Sequence, residues 1–473
     1  MIKKEAYTTE WLDAKVKEVD AASYDLAEKM MYAFTLLEHL KLKGLDFIFK
    51  GGTALVLMTE EFHRFSKDID IVIHQKPKPG VLGKIFDAIV ADTPFIKWEE
   101  SERQNDEFQV PKEHYKFYYN ESKPSKWPEK PILLDIIFVE STYPETKIAK
   151  VQHPLLSTEE PYAEITIPCF DSITGDKLTA FAPNTIGIPI GKNKEIEIAK
   201  QLFDLNLLFD KMVSFEKVKE AFERTAKMCS IAYQRDYQSL HIYEDIIETA
   251  YTMAMNGSHN QAVYNEIKKG VNGLSQYLSK KSKFGYNVAV LAAARIAYLA
   301  TCLMKGVAPQ KLEWQKLFPE DFKNKKIEHE KYGLLNKQLK AGYPEAWFYW
   351  LNTVEVLATE EKETKPAKKA AAAPVAEKKE EKVEKVQRKN DLLHLVFIVN
   401  GKETLVDNVN PKAPLKSAVE RALEQTGNSG RPIEEWLVKW NNVDLDINRK
   451  VEDYKFPADV KIFLSVKSGV GGE

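Results

Sequence analysis

Cysteine is scarce: the chain of 473 residues has three, Cys169, Cys229 and Cys302, far apart in sequence. They form no Cys-x-x-Cys and no His/Cys spacing, which argues against a disulfide scaffold or a zinc site. Free buried thiols in a reducing compartment are expected instead. The opening stretch MIKKEAYTTEW has no apolar core, so no signal peptide is expected. Long apolar runs are also lacking. The one candidate, Tyr286 to Met304, is dominated by alanine and carries Arg295 in its middle, which reads as a buried core helix and not a span. No membrane partner is expected, and a cytoplasmic location is. The formal net charge is -2, so no global field points to nucleic acid or to an anionic surface.

What is present is ordinary globular material, 44% hydrophobic and 29% charged. The length exceeds one compact core, and roughly two to four domains are expected. Residues 10–44 repeat at helical spacing and end on Gly44. LDFIFK reads as a short strand, GGTALVLM as a turn into a helix, and DIDIVI as a β-branched strand. GKIFDAIVAD reads as a helix. HYKFYYN and PILLDIIFVE read as two strands joined by a polar loop with proline. From Glu195 to Thr359 apolar stripes recur at helical spacing, the pattern of a helical bundle. Ala358 to Asn390 alternates charge and alanine with no aromatic residue, so it cannot bury a core and reads as a flexible linker. Beyond it come a strand–Asn-Gly–strand signal, an amphipathic helix stopped by Gly427, and two further strand patterns. The order ββαβ-turn-β is a β-grasp pattern.

Asp68 and Asp70 are the first chemical signal. Alternate residues of a strand share a face, so the two carboxylates project side by side. Two like charges so close are costly without a cation, and magnesium, a hard ion that shares its oxygen ligands with phosphates, suits them. Gly51 and Gly52 open the preceding helix, whose free N–H groups favour an anion, and Thr53 adds a hydroxyl. A pair of metal ions about 3.5–4 Å apart calls for a third carboxylate. Asp135, alone among apolar residues in ILLDIIF, is the candidate. His63, His74 and His114 show no ligand spacing and read as structural or surface residues.

Gly51–Leu55, Arg64, Ser66, Asp68 and Asp70 together read GGTAL, then R-x-S-x-DID. This resembles the first motif of the nucleotidyltransferase superfamily, and most of all the AbiEii/AbiGii-type toxins of bacterial toxin–antitoxin and phage-defence systems. DKLTAF and KQLFDL resemble two further segments of that family; Lys177, Lys200 and Asp204 match, and Gln201 stands where an Asp is common. The resemblance implies transfer of a nucleotide from an NTP with two magnesium ions. Asp68, Asp70 and Asp135 would be catalytic and metal-binding, with Asp135 helping to activate the attacking hydroxyl. Gly51, Gly52, Thr53, Ser66, Lys177, Lys200 and Asp204 would serve the nucleotide. The acceptor would be RNA or protein, and an antitoxin is an implied partner. Basic and aromatic residues interleave between His114 and Pro131, as in a base-stacking loop or an ordinary surface hairpin.

The C-terminal segment, with VNGKE, NPKAPLKSAVERALEQTGNSG and FPADVKIFLSVKSGVGG, resembles ubiquitin-like proteins of the bacterial multiubiquitin type. That implies activation and conjugation of the Gly471-Gly472 tail after a deubiquitinase-like peptidase removes Glu473, with activating-like and conjugating-like enzymes as partners. Three readings follow: an enzyme placed or restrained by conjugation, a modifier whose N-terminal part is cargo, or a tail domain acting as a built-in antitoxin. The expected fold class is α+β: a nucleotidyltransferase-like mixed sheet (residues 1–194), a helical domain (195–358), a linker (359–390) and a ubiquitin-like domain (391–473).

Overall fold

The structure is a computed structural model. It describes residues 1–18, 23–101, 109–124, 126, 128–279, 281–310, 312, 323–359, 393–399, 402–428, 430–440, 443–454, 456 and 460–466. The expected linker and the Gly471, Gly472 and Glu473 tail lie outside the described residues. The chain divides into two compact units, Met1–Lys365 and Pro366–Glu473.

The first unit begins with α1 (Thr9–Glu18) and α2 (Tyr24–Leu42). Ser23 caps α2, its Oγ accepting from the Leu26 N–H at 3.3 Å. There follow β1 (Ile48–Lys50), α3 (Gly51–Met58), β2 (Ile69–Ile73), α4 (Val81–Asp92), β3 (Phe95–Glu100), β4 (Lys112–Asn120), β5 (Glu129–Phe138), β6 (Thr146–Lys150), β7 (Glu164–Pro168) and α5 (Phe170–Ala180). The strands form one mixed sheet in the order β3-β4-β5-β2-β1-β7-β6. Strand β2 sits near its middle, parallel to β5 and antiparallel to β1. One face of the sheet is dry: Phe49, Ile71, Ile136, Phe117 and Tyr119 pack with Phe34 of α2 and Phe86 of α4. That leaves the other face of β2 and β5 for polar side chains. Strands β3 and β6 were not legible in the sequence because both are sheet edges with mostly exposed side chains, so no apolar alternation marks them.

The helical part comprises α6 (Glu195–Phe209), α7 (Phe215–Ala232), α8 (Ser239–Ala254), α9 (Gln261–Leu274), α10 (Tyr286–Lys305), α11 (Leu335–Gln338) and α12 (Pro344–Leu357). Its core holds Phe222, Ile246, Tyr251, Trp347 and Trp350, and most of the alanines of α10. Helix α10 is the one helix among the described residues long and apolar enough to cross a membrane, but 72% of its apolar window is buried within the fold. Arg295 meets Asn206 and Asp210, at 3.2 and 3.1 Å, and stacks over Phe209 and Tyr349. The sequence cue that marked α10 as a core helix is thus a side chain reaching out of the alanine-rich face.

The second unit contains β8 (Leu393–Val399), β9 (Lys402–Val409), α13 (Leu415–Gln425), β10 (Trp436–Trp440), β11 (Val443–Asp444) and β12 (Lys461–Val466). Its sheet runs β11-β10-β12-β8-β9, with β8 and β12 parallel at the centre. Helix α13 buries Leu415, Ala418, Val419, Ala422 and Leu423, a stripe of three- and four-residue spacing, against Phe397, Trp436 and Ile462. The order of elements is the expected one, the turn after β10 forming the two-residue strand β11.

Candidate active site

Strand register assembles the site. Asp70 on β2 is paired with Asp135 on β5; Lys50 on β1 lies opposite Asp70, and His114 on β4 opposite Asp135. Paired residues point to the same face. A row of ionisable side chains, His114–Asp135–Asp70–Lys50, therefore crosses the sheet on its open side. Asp68, two residues before Asp70, lies just before the start of β2. His114 Nδ1 lies 2.7 Å from Asp135 Oδ1.

The acids sit in an environment that opposes their charge. Burial, and then the Asp135 carboxylate, push Asp70 up to about 7. Burial also raises Asp68, against the pull of Lys67 and Lys200. Asp68 Oδ1 is buried with no hydrogen-bond partner among the described residues. Such an orphaned oxygen is costly unless something else binds it.

The glycine turn has a definite steric cause. Gly51 has φ +79°, and a Cβ there would stand 2.4 Å from Asp70 Oδ2. A Cβ on Gly52 would stand 2.2 Å from Arg64 Nη2. Both glycines let the start of α3 lie directly on the charged groups. Thr53 is buried; its Oγ1 donates to the Asp68 carbonyl at 2.6 Å and lies 2.8 Å from Ser66 Oγ. It pins the loop that presents the acids.

Beneath the turn is a buried ion triad. Arg64 binds Asp204 through Nε and Nη2, each at 2.7 Å, and Lys177 Nζ reaches Asp204 Oδ2 at 2.8 Å. Burial alone would raise the Asp204 carboxyl, but Arg64 and then Lys177 outweigh it and hold it at about 2. Lys177 also donates to Gln201 Oε1 at 3.2 Å, so the glutamine that stands where an Asp is common still meets the same lysine. Lys200 pairs with Glu197 at 2.9 Å and lies over the Tyr277 ring.

A cavity of about 340 Å³ opens on these groups. Gly51, Gly52, Ser66, Asp68, Asp70, Lys177 and Lys200 line it; Thr53, Asp135 and Asp204 are outside its lining. Lys50 and Asp176 line it too, 3.8 Å apart, and Tyr143 donates to Asp176 at 2.7 Å. Burial alone would lower Lys50, but Asp176 and then Asp70 hold its ammonium above the usual range. Among the described residues no three His, Cys, Asp or Glu side chains converge into a ready-made metal site. Sequence reasoning missed Lys50, Asp176 as a site group, and His114. Two of them depend on which strands are neighbours, which no local pattern reveals. The interleaved aromatics of His114–Pro131 resolve by strand alternation: Tyr115, Phe117 and Tyr119 are buried, while Lys116 and Tyr118 face outward.

A glycine turn opening a helix, paired acids and lysines meet around one cavity, and the class of protein they define is a nucleotidyltransferase. Residues 35–273 match the family described as nucleotidyl transferase AbiEii toxin, type IV toxin–antitoxin system, and the chain belongs to that family. Residues 388–472 match DUF2604, a family of proteins of unknown function. An uncharacterized protein of Sinorhizobium fredii, y4jI, is 37% identical over 81 residues, 17% of this chain. The chain spans 62% of that relative's length. The structure also resembles an antigenic nucleotidyltransferase-like protein from Paracoccidioides brasiliensis at 14% identity and TM-score 0.28, covering 45% of this chain and 94% of that one, a likeness too slight to build on.

Proposed function

We propose that residues 1–194, backed by the helices of 195–358, transfer a nucleotidyl group from an NTP to a hydroxyl of RNA or protein, with magnesium. The observation that supports this best is the pair Asp68–Asp70, disfavoured in its ionised form by burial and bearing an orphaned oxygen, across one cavity from Lys177 and Lys200. Two hard oxygen donors with one unsatisfied position fit a divalent cation whose remaining ligands come from phosphates. Asp68 and Asp70 would hold it; when bound it neutralises charge developing on the phosphate oxygens. Lys177, Lys200 and Lys50 bind the triphosphate. The acceptor oxygen bonds to the α-phosphorus, the bond from that phosphorus to the α–β bridging oxygen breaks, and diphosphate leaves. The hydroxyl proton goes to Asp135. Asp204 acts from beneath, holding Arg64 and Lys177 in place.

The second unit we read as a ubiquitin-like module. What supports this is the parallel central pair β8–β12, flanked by the β8–β9 hairpin and covered by α13. Its conjugation, and an antitoxin partner, belong to the same proposal. The test is transfer of label from an α-phosphate-labelled NTP, with magnesium, into total RNA and total protein. Label in one fraction, absent with Asp68→Ala/Asp70→Ala, supports the reading and names the acceptor class. No label in either fraction from the intact chain or from a chain ending at Asn390 overturns it.

A further inference from the structure

The cavity ends at Asp68 and Asp70; Asp135 and His114 lie beyond Asp70 on the β5 and β4 side, outside its lining. If the donor nucleotide fills the cavity, the acceptor must approach over β4 and β5, on which Asp135 lies. The orientation of that one carboxylate then decides whether it meets the acceptor hydroxyl or swings towards Asp70. His114 is a group placed to fix it.

The contact has a definite polarity. A carboxylate oxygen only accepts, so across 2.7 Å the His114 Nδ1–H donates to Asp135 Oδ1. The other ring nitrogen is Nε2. It is buried and has no partner among the described residues. His114 is 13% exposed and Asp135 21%. Leaving a buried polar atom unpaired costs about 1–3 kcal/mol, so a phenyl ring of similar shape would pack at less cost. What the imidazole has and the phenyl lacks is a donor aimed at Asp135. Its position on β4, in register with Asp135, makes that donor rigid.

We propose that His114 is a positioning residue for the transfer reaction: its Nδ1–H locks the Asp135 carboxylate in the orientation that receives the acceptor proton. This rests on the function proposed above, in which Asp135 takes that proton. His114 itself touches neither substrate, since its free nitrogen is buried. Its loss acts on the chemical step and leaves NTP binding, which belongs to the cavity on the far side of Asp70, unchanged.

The experiment compares His114→Asn, His114→Gln and His114→Phe in the full chain. The amide nitrogen of Asn lies where Nδ1 was; that of Gln lies nearer Nε2. Loss of an outer partner of this kind lowers activity by about 10–100-fold. We expect kcat to fall by that factor in the Phe and Gln variants with KM for the NTP unchanged, and to stay near wild type in the Asn variant. A nitrogen–proton correlation spectrum of the wild-type imidazole should show the proton on Nδ1. If the Phe variant unfolds, the Asn–Gln pair decides. Full kcat in the Gln or Phe variant, equal loss in Asn and Gln, or a proton on Nε2 would overturn the inference alone. Wild-type chain that transfers no label overturns the parent function as well, and so the two failures are told apart.

Discussion

Asp70→Asn should make the cation-free protein more stable while abolishing transfer. In the folded chain burial and Asp135 push this carboxyl from 3.8 to about 7. Between those values the folded state keeps a proton that the unfolded state has lost. Stability therefore falls as pH rises through the window, and above about 7 the full penalty stands. Three pKa units correspond to roughly 4 kcal/mol. Asparagine has the same shape and no charge, so it removes that penalty; losing the pull on Lys50 returns part of it, though Asp176 still holds that lysine. In a chelator at about pH 8 the variant should be more stable by about 2–4 kcal/mol, and the gap should close towards about pH 4. Urea unfolding at several pH values measures it. Adding magnesium should stabilise the wild type selectively, because a ligand of the folded state adds to its stability by mass action. A variant no more stable than wild type at about pH 8, or a gap that ignores pH, would refute the reasoning.

Asp204→Asn should lower unfolding stability by about 3–5 kcal/mol in urea, because Arg64 and Lys177 are left as buried unpaired cations; adding Lys177→Met should recover part of the loss. Gly51→Ala should abolish transfer with the far-ultraviolet dichroism intact, since its Cβ would stand 2.4 Å from Asp70 Oδ2. His153, held at about 4 by burial and then by His63, stays neutral in the fold. The unfolded chain gains its proton first, so stability is lost as pH falls from 6.5 towards 4. His153→Phe should blunt that acid sensitivity in a thermal melt.

Much of the fold was legible because local pattern and burial agree. The DIDIVI pattern marked β2, although the strand begins at Ile69 and Asp68 stands just before it, and the glycine pair marked the start of α3. The same stretch sufficed to recognise the family. For the C-terminal unit the matching family is one of unknown function, and the tail lies outside the described residues. The physical meaning of the glycines differed in part from expectation: their missing Cβ atoms make room for Asp70 and Arg64 within the protein. Asp204 looked like a nucleotide residue by motif; three-dimensionally it is the buried anion between two cations. His114 and Lys50 were invisible because their roles come from register between strands far apart in sequence. No periodicity within HYKFYYN tells which residue of β5 faces His114.

The most direct test of the central claim is the anomalous signal of manganese in crystals grown with a non-hydrolysable NTP. The account predicts a peak bound by both the Asp68 and Asp70 carboxylates, with the triphosphate reaching Lys177 and Lys200. A nucleotide bound elsewhere, or a cavity that takes the nucleotide with no cation at the two acids, would contradict it.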